Sequence, residues 1–368
     1  MSLGLAADAI DLAQVRRVLV IKLRHHGDVL LASPVLAVLK NAVPQAEIDA
    51  LVYDDTSPML RGHPALAQLH LLPRAGRKGS PMQRLGAERA MLRAMRERRY
   101  DLVVHLTDHP RGAWLAWLLK PRWAVAFERD HGQWWWRRIF SHLARQPRGT
   151  PRATVERHLD LLRRIGIHPA PDQRAPSFAV AAEAVASTRD KLRAAGWHGE
   201  PFALVHPGSR WMFKAWTAEG NARVIDHLAA RGLAVVMTAA PDPREKLLCD
   251  AILAHTGTRC IDLRGQLTLG ELGALISQAR FFFGVDSVPM HLAAAVGTPG
   301  VALFGPSNDV EWGPWSDRML AIASRRHPCR PCGIDGCGGG KRSDCLVLLP
   351  PAEVIAAIDQ VLERHGQR

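Results

Sequence analysis

The chain has 368 residues, more than one hydrophobic core comfortably organises, and that length suits two domains. A hydrophobic share of 47% beside 23% charged residues excludes a disordered chain, and the best apolar run, residues 113–119, is far shorter than the roughly 18–20 residues that cross a bilayer. The net charge of +13 is lopsided: residues 1–175 hold 28 Lys and Arg against 16 Asp and Glu, the remainder 20 against 19. A basic field on one half points to an anionic partner, whether nucleic acid, an anionic bilayer or a phosphorylated acceptor. Residues 1–14 carry Asp8 and Asp11 and have neither a basic start nor a long apolar stretch, which argues against a secretory signal.

In chain order, strands and helices alternate, the pattern of parallel sheets. Arg17-Val-Leu-Val-Ile-Lys-Leu23 reads as a buried strand, and Ser33-Pro34 as the N-cap and first position of a helix. Further strands are predicted at 47–53, 69–72 and 100–106, with an Arg-rich exposed helix over 84–99. The Pro- and Ala-rich segment 169–176 reads as a linker. A second series follows, with strands at 202–206, 233–238, 281–285 and 301–304, and a capping box, Thr268-Leu-Gly-Glu271, opening a helix over 269–278. The expected fold is α/β with two doubly wound, Rossmann-like domains facing a central cleft: 1–175, 176–350, and a terminal helix over 351–368 packing back toward the first domain. Such sheets bind ligands at the carboxyl ends of their strands.

The first strand ends in Lys22-Leu-Arg-His-His-Gly-Asp-Val29. A carboxylate at Asp28 can deprotonate a hydroxyl, or it can cap the next helix; spacing alone leaves both open. His25 and His26 are candidates for the acceptor side. No G-x-G-x-x-G is present, so this is not a dinucleotide fingerprint. In the second series, the strand at 202–206 runs into Pro207-Gly-Ser-Arg-Trp-Met-Phe-Lys-Ala-Trp216, where Gly208 and Ser209 offer N–H groups and a hydroxyl to an oxyanion and Lys214 adds positive charge. Gly284-Val-Asp-Ser-Val-Pro-Met-His291 starts a helix whose N-terminus suits a phosphate, with Asp286 as its cap, Ser287 beside it and His291 one turn in. Phe304-Gly-Pro-Ser307 is a third loop on the same rim. Together they point to nucleotide binding on the second domain.

Taken jointly, Arg24-His-His-Gly-Asp-Val-Leu-Leu-Ala-Ser-Pro34, His206-Pro-Gly-Ser209 with Lys214 and Trp216, Gly284-Val-Asp-Ser-Val-Pro-Met-His291 and Leu303-Phe-Gly-Pro-Ser307 resemble, in order, the motifs of the ADP-heptose:lipopolysaccharide heptosyltransferases, glycosyltransferase family 9. The double histidine before Gly27-Asp28 looks like the type III branch. The resemblance spans about residues 15–350 and implies a GT-B fold and an inverting transfer of L-glycero-D-manno-heptose from ADP-heptose to a heptose of the lipopolysaccharide inner core. It also implies that no metal or other cofactor is required. On it, Asp28 matches the general base, and Gly208, Ser209, Lys214, Asp286, Ser287 and His291 match donor-binding positions. Leu267 matches a place that packs the adenine. Gly208-Ser209 stands where some members have paired threonines, which leaves donor choice open. The implied setting is the cytoplasm, peripheral on the inner leaflet of a Gram-negative inner membrane.

Two clusters stand outside these motifs. Cys329, Cys332, Cys337 and Cys345 begin with a C-x2-C spacing open to structural zinc, to free thiols or to a disulfide, whereas Cys249 and Cys260 sit in apolar contexts. Trp134-Trp-Trp136 followed by Arg137-Arg138 reads either as an interfacial helix or as a packed aromatic cluster. Rival functions are a sister GT-B transferase with another donor or acceptor, and a non-catalytic nucleic-acid-binding protein suggested by a pI near 10.1. No nucleic-acid module is present, so nucleic acid is not an expected partner.

Overall fold

The computed structural model describes residues 8, 10–74, 81–129, 133–146 and 149–365. The reading of residues 1–14 against a secretory signal falls mostly outside them, as do residues 366–368 of the terminal segment. Among the described residues no helix is long and apolar enough to cross a membrane. The chain divides into two units, Met1–Ala179 and Val180–Arg368, so the boundary falls just past the expected linker.

In the first unit, β1 (Arg17–Ile21), β2 (Glu47–Tyr53), β3 (Leu66–Leu72), β4 (Leu102–His105), β5 (Trp123–Phe127) and β6 (His142–Ala144) form one parallel sheet in the order β3-β2-β1-β4-β5-β6. Chain order reverses at β1, which lies between β2 and β4, so the carboxyl ends of β1 and β4 form the switch point at which doubly wound sheets bind ligands. The helices are α1 (His26–Leu30), α2 (Ser33–Ala42), α3 (Pro81–Arg98), α4 (Pro110–Leu119), α5 (Gln133–Ile139) and α6 (Thr154–Arg164). Ser33 lies inside α2 and Ala32 takes the cap position, one residue earlier than expected. The Ser33 hydroxyl instead accepts the Ser177 N–H at 2.9 Å, tying α2 to the segment after the linker. A buried carboxylate, Asp49 on β2, is held by Arg98 at 2.8 and 3.0 Å and by the Tyr100 hydroxyl at 2.7 Å, which compensates its loss of water.

The second unit repeats the topology. Its strands β7 (Phe202–His206), β8 (Ala234–Met237), β9 (Ile261–Asp262), β10 (Phe281–Val285), β11 (Gly300–Phe304) and β12 (Met319–Ala323) order as β12-β11-β10-β7-β8-β9, with the switch point between β7 and β10. Around it lie α7 (Ala182–Ala194), α8 (Ala218–Ala230), α9 (Pro243–His255), α10 (Leu269–Gln278), α11 (Val288–Val296), α12 (Asp309–Trp312), α13 (Asp344–Val347) and α14 (Pro351–His365). The capping box at Thr268 and Glu271 forms as expected. The terminal helix corrects one expectation: α14 packs on α8, β11 and β12 of its own unit, with Val354, Ile358 and Val361 in that core. Its apolar stripe is satisfied by the second sheet.

Candidate active site

In the first unit β1 delivers Lys22 and Leu23, both buried, into a short loop that opens α1. The cap position of α1 falls to His25, with extended backbone, while Asp28 sits in the helix's first turn. The capping alternative for Asp28 therefore does not describe it. Its carboxylate is half-buried and turned to the Lys22 ammonium, with Oδ1 3.5 Å from Nζ. Lys22 also donates to the Leu106 carbonyl at 3.2 Å, at the end of β4, and lies 2.8 Å from Nε2 of His158 on α6. His26 places Nε2 2.9 Å from the Asp55 carbonyl. Burial pushes the His26 pKa down, so a neutral imidazole donates that bond and fixes the loop against residues 54–59. His25 is exposed beside it.

In the second unit β7 and β10 are paired with His206 opposite Gly284, so the loops that follow them share one edge of the sheet. Ser209 is buried, and its hydroxyl oxygen accepts the Trp211 N–H at 3.3 Å. A single turn over Met212–Lys214 then brings the Lys214 ammonium to 2.5 Å from Asp286 Oδ2. That pair corrects the capping role expected for Asp286. A buried carboxylate needs a cation more than a backbone partner, and the cap position falls to Ser287. The Ser287 hydroxyl is in turn directed to the Val285 carbonyl at 3.2 Å. Neither side chain caps α11, whose first turn contains Pro289 and the buried His291. The positive end of the helix dipole thus lies next to Lys214. Leu267, half-buried, immediately precedes the N-cap of α10.

The loop at Gly208 rests on a second buried pair. His206 Nδ1 is 3.0 Å from the Thr238 hydroxyl and Nε2 is 3.7 Å from Glu245. Burial holds the imidazole neutral, its pKa pushed to about 4, so the Glu245 contact is not an ion pair. A Cβ on residue 208 would lie 2.6 Å from the Glu245 carboxylate, which explains glycine there. The third expected loop is engaged differently, because Arg330 takes the Gly305 carbonyl at 2.5 Å and that of Ser307 at 3.3 Å. Those carbonyls bind a guanidinium, and the loop serves as a strut for the rim.

Among the described residues no group of three or more His, Cys, Asp or Glu is arranged to hold a metal ion. Cys329, Cys332 and Cys337 are exposed free thiols, and Cys345 is a buried one. Burial raises the thiols of Cys249 and Cys260, to about 12 and about 11, as suits inert core residues. The residues missed by sequence reasoning are Lys22, His158 and Glu245. Lys22 had one signal, a lone lysine closing an apolar strand; the other two had none, since only the fold brings them near.

Comparison with known proteins agrees with this arrangement. Residues 88–339 match the model of glycosyltransferase family 9 (heptosyltransferase). The chain is 35% identical over 345 residues to lipopolysaccharide heptosyltransferase 3 of Escherichia coli, covering 92% of this chain and 97% of that one. Among solved structures, the glycosyl transferase family 9 protein of Veillonella parvula DSM 2008 superposes with a TM-score of 0.81 at 22% identity, over 98% and 100% of the two chains. E. coli heptosyltransferase WaaC with ADP gives 0.69 at 18% identity, over 95% and 99%. Both neighbours share the fold of two Rossmann-like domains, which here is GT-B. The chain belongs to glycosyltransferase family 9, the heptosyltransferases.

Proposed function

We propose that the protein transfers a heptosyl group from ADP-heptose to a heptose of the lipopolysaccharide inner core, the third heptose of that core. The observation that carries the reading is the Lys214–Asp286 pair beside the uncapped start of α11, at the switch point of the second sheet. The positive charge a departing diphosphate requires comes from Lys214, drawn from Asp286 to the anion, together with the free N–H groups of α11. Asp28 holds the matching position on the first sheet as general base. The acceptor hydroxyl oxygen attacks the anomeric carbon, its proton passes to Asp28, and the bond from that carbon to the diphosphate oxygen breaks to release ADP. A single displacement inverts the anomeric centre. Charge on the leaving diphosphate is met by Lys214 and the α11 N–H groups, so no metal is required. Ser209, with the Gly208 backbone, and His291 bind the same diphosphate. Asp286 and Ser287 hold donor hydroxyls, and Leu267 packs the adenine. His25 and His26 shape the acceptor side.

Support comes from the type 3 relative above and from the structure of WaaC with ADP. On the same reading the enzyme works in the cytoplasm on the inner leaflet, where its basic half meets a phosphorylated glycolipid and not nucleic acid. Turnover with ADP-heptose and core-truncated lipopolysaccharide tests it. Release of ADP dependent on that acceptor, retained in chelator, is expected; equal turnover of another sugar nucleotide would transfer the reading to a sister transferase.

A further inference from the structure

Lys22 is a full ammonium group placed where an apolar residue would sit without cost. It is buried at the end of β1, and its ammonium has three partners: it donates to the Leu106 carbonyl and to His158 Nε2 and forms an ion pair with Asp28 Oδ1 at 3.5 Å. His158 is itself buried, and its Nδ1 lies 3.0 Å from the Leu31 carbonyl. A carbonyl only accepts, so Nδ1 carries the hydrogen, and Nε2 presents its lone pair to Lys22. Burial and the neighbouring Lys22 charge push the His158 pKa well down, which keeps that tautomer neutral. The charged and titratable groups facing Lys22 are Asp28 from α1, Arg24 from the same loop, His105 from β4, and Arg157 with His158 from α6. Among these Asp28 is the sole acid. Every other neighbour disfavours the cation or is neutral.

We propose that Lys22, oriented by His158, is the positioning residue for Asp28. The ammonium holds carboxylate oxygen Oδ1 and fixes the rotamer, so that Oδ2 is the oxygen offered to the acceptor hydroxyl. This rests on the reading of Asp28 as general base. Burial lowers the Lys22 pKa to about 8, against the opposing pull of Asp28. As pH rises through that value the ammonium loses its proton, and the hold on Asp28 with it.

The test is the pH dependence of kcat, from pH 6 to 9.5, for wild type, Lys22→Met, His158→Gln and Asp28→Asn, with ADP affinity and Tm measured for each. Methionine retains the buried chain as far as Cε without its charge. Wild type should lose rate above pH 8. Lys22→Met should show kcat about 10²-fold lower with no limb near pH 8, at unchanged ADP affinity, the size of loss that misplacing a reacting group produces. His158→Gln, whose amide oxygen can still accept from Lys22, should keep the limb and most of the rate. Lys22→Met together with Asp28→Asn should be no slower than Asp28→Asn alone. An inactive Asp28→Asn beside a Lys22→Met enzyme of wild-type rate and profile would overturn the role of Lys22 and leave the general base standing. An active Asp28→Asn would overturn the general base itself. Should Lys22→Met not fold, a His158→Gln profile lacking the basic limb of wild type would count against the inference, and one retaining it would support it.

Discussion

The Lys214 ammonium and the Asp286 carboxylate meet at 2.5 Å, across a sequence gap of 72 residues, where β7 and β10 run side by side. Each group makes the other's burial tolerable. The pair also leaves Lys214 poised at the end of α11, where an anion would compete with Asp286 for it. Lys214→Ala removes a charge-assisted hydrogen bond from the diphosphate and should weaken ADP binding about 10- to 100-fold, the range for hydrogen bonds to charged groups. Calorimetry with ADP reads this directly. Unchanged affinity and an unchanged transfer rate would remove Lys214 from the donor site.

Asp28→Ala should lower kcat about 10²- to 10⁴-fold, the usual size of general-base loss, with ADP affinity close to wild type and Tm lowered, because the buried Lys22 ammonium loses its acid partner. Asp28 lies in the first turn of α1 without being the cap, so the cost in stability falls on the Lys22 contact and not on a lost helix cap. Near-normal turnover would reduce it to a counter-ion for Lys22.

The contrast between these residues shows what was legible in sequence. β7 and β10 are five-residue apolar runs ending at Pro207 and Asp286, and both were read to the residue. β6 has three residues and β9 two, too few to show a period, and they were missed. β5, Trp123–Phe127, is long enough, but it lies in a Trp- and Arg-rich stretch without polar alternation. Candidate site residues at strand ends, such as Asp28, Ser209 and Lys214, were legible because the topology concentrates chemistry there. The Lys22–His158 contact spans 136 residues, and the Glu245 support beneath Gly208 has no local mark. The expected Asp286 cap failed because a salt bridge to a distant lysine outweighed the local backbone bond.

Acid should destabilise the fold. His105 and His206 are buried as neutral imidazoles, with pKa values held down to about 3 and about 4 mainly by burial, against 6.5 when exposed. A depressed folded-state value means the unfolded chain takes up the proton first, so their contribution is complete above about pH 6.5 and is lost as pH falls toward 4. Each unit of depression is worth about 1.4 kcal/mol. Thermal melts should therefore show Tm falling between pH 7 and pH 5. A flat Tm over that interval would contradict the buried neutral state.

The tryptophans of α4 and α5 divide between core and surface. Trp136 is fully buried: its indole N–H donates to the Phe127 carbonyl at 2.9 Å and its ring packs on Phe140 and His105. Trp134, Trp114 and Trp117 are instead 68%, 56% and 49% exposed, and Arg138 lies over the Trp134 ring at 5.3 Å. The aromatic run thus divides: Trp136 belongs to the core and Trp134 lies on the exposed side of α5. If the exposed side docks on an anionic inner leaflet, Arg137→Glu with Arg138→Glu should weaken binding to anionic vesicles, since each basic residue near such a surface is worth about 1 kcal/mol. Trp134→Ala should weaken it further at unchanged Tm, whereas Trp136→Ala should cost about 3–5 kcal/mol of stability. The charge-reversed pair should raise KM for lipopolysaccharide and leave ADP affinity alone, because Lys214 and Asp286 belong to the other unit. Raising salt should imitate it, as exposed charges are screened over roughly 8–10 Å. Vesicle sedimentation and acceptor KM indistinguishable from wild type would make this face ordinary surface, and the exposed arginines of α3, Arg89, Arg93 and Arg96, would be the next basic residues to test on the first unit.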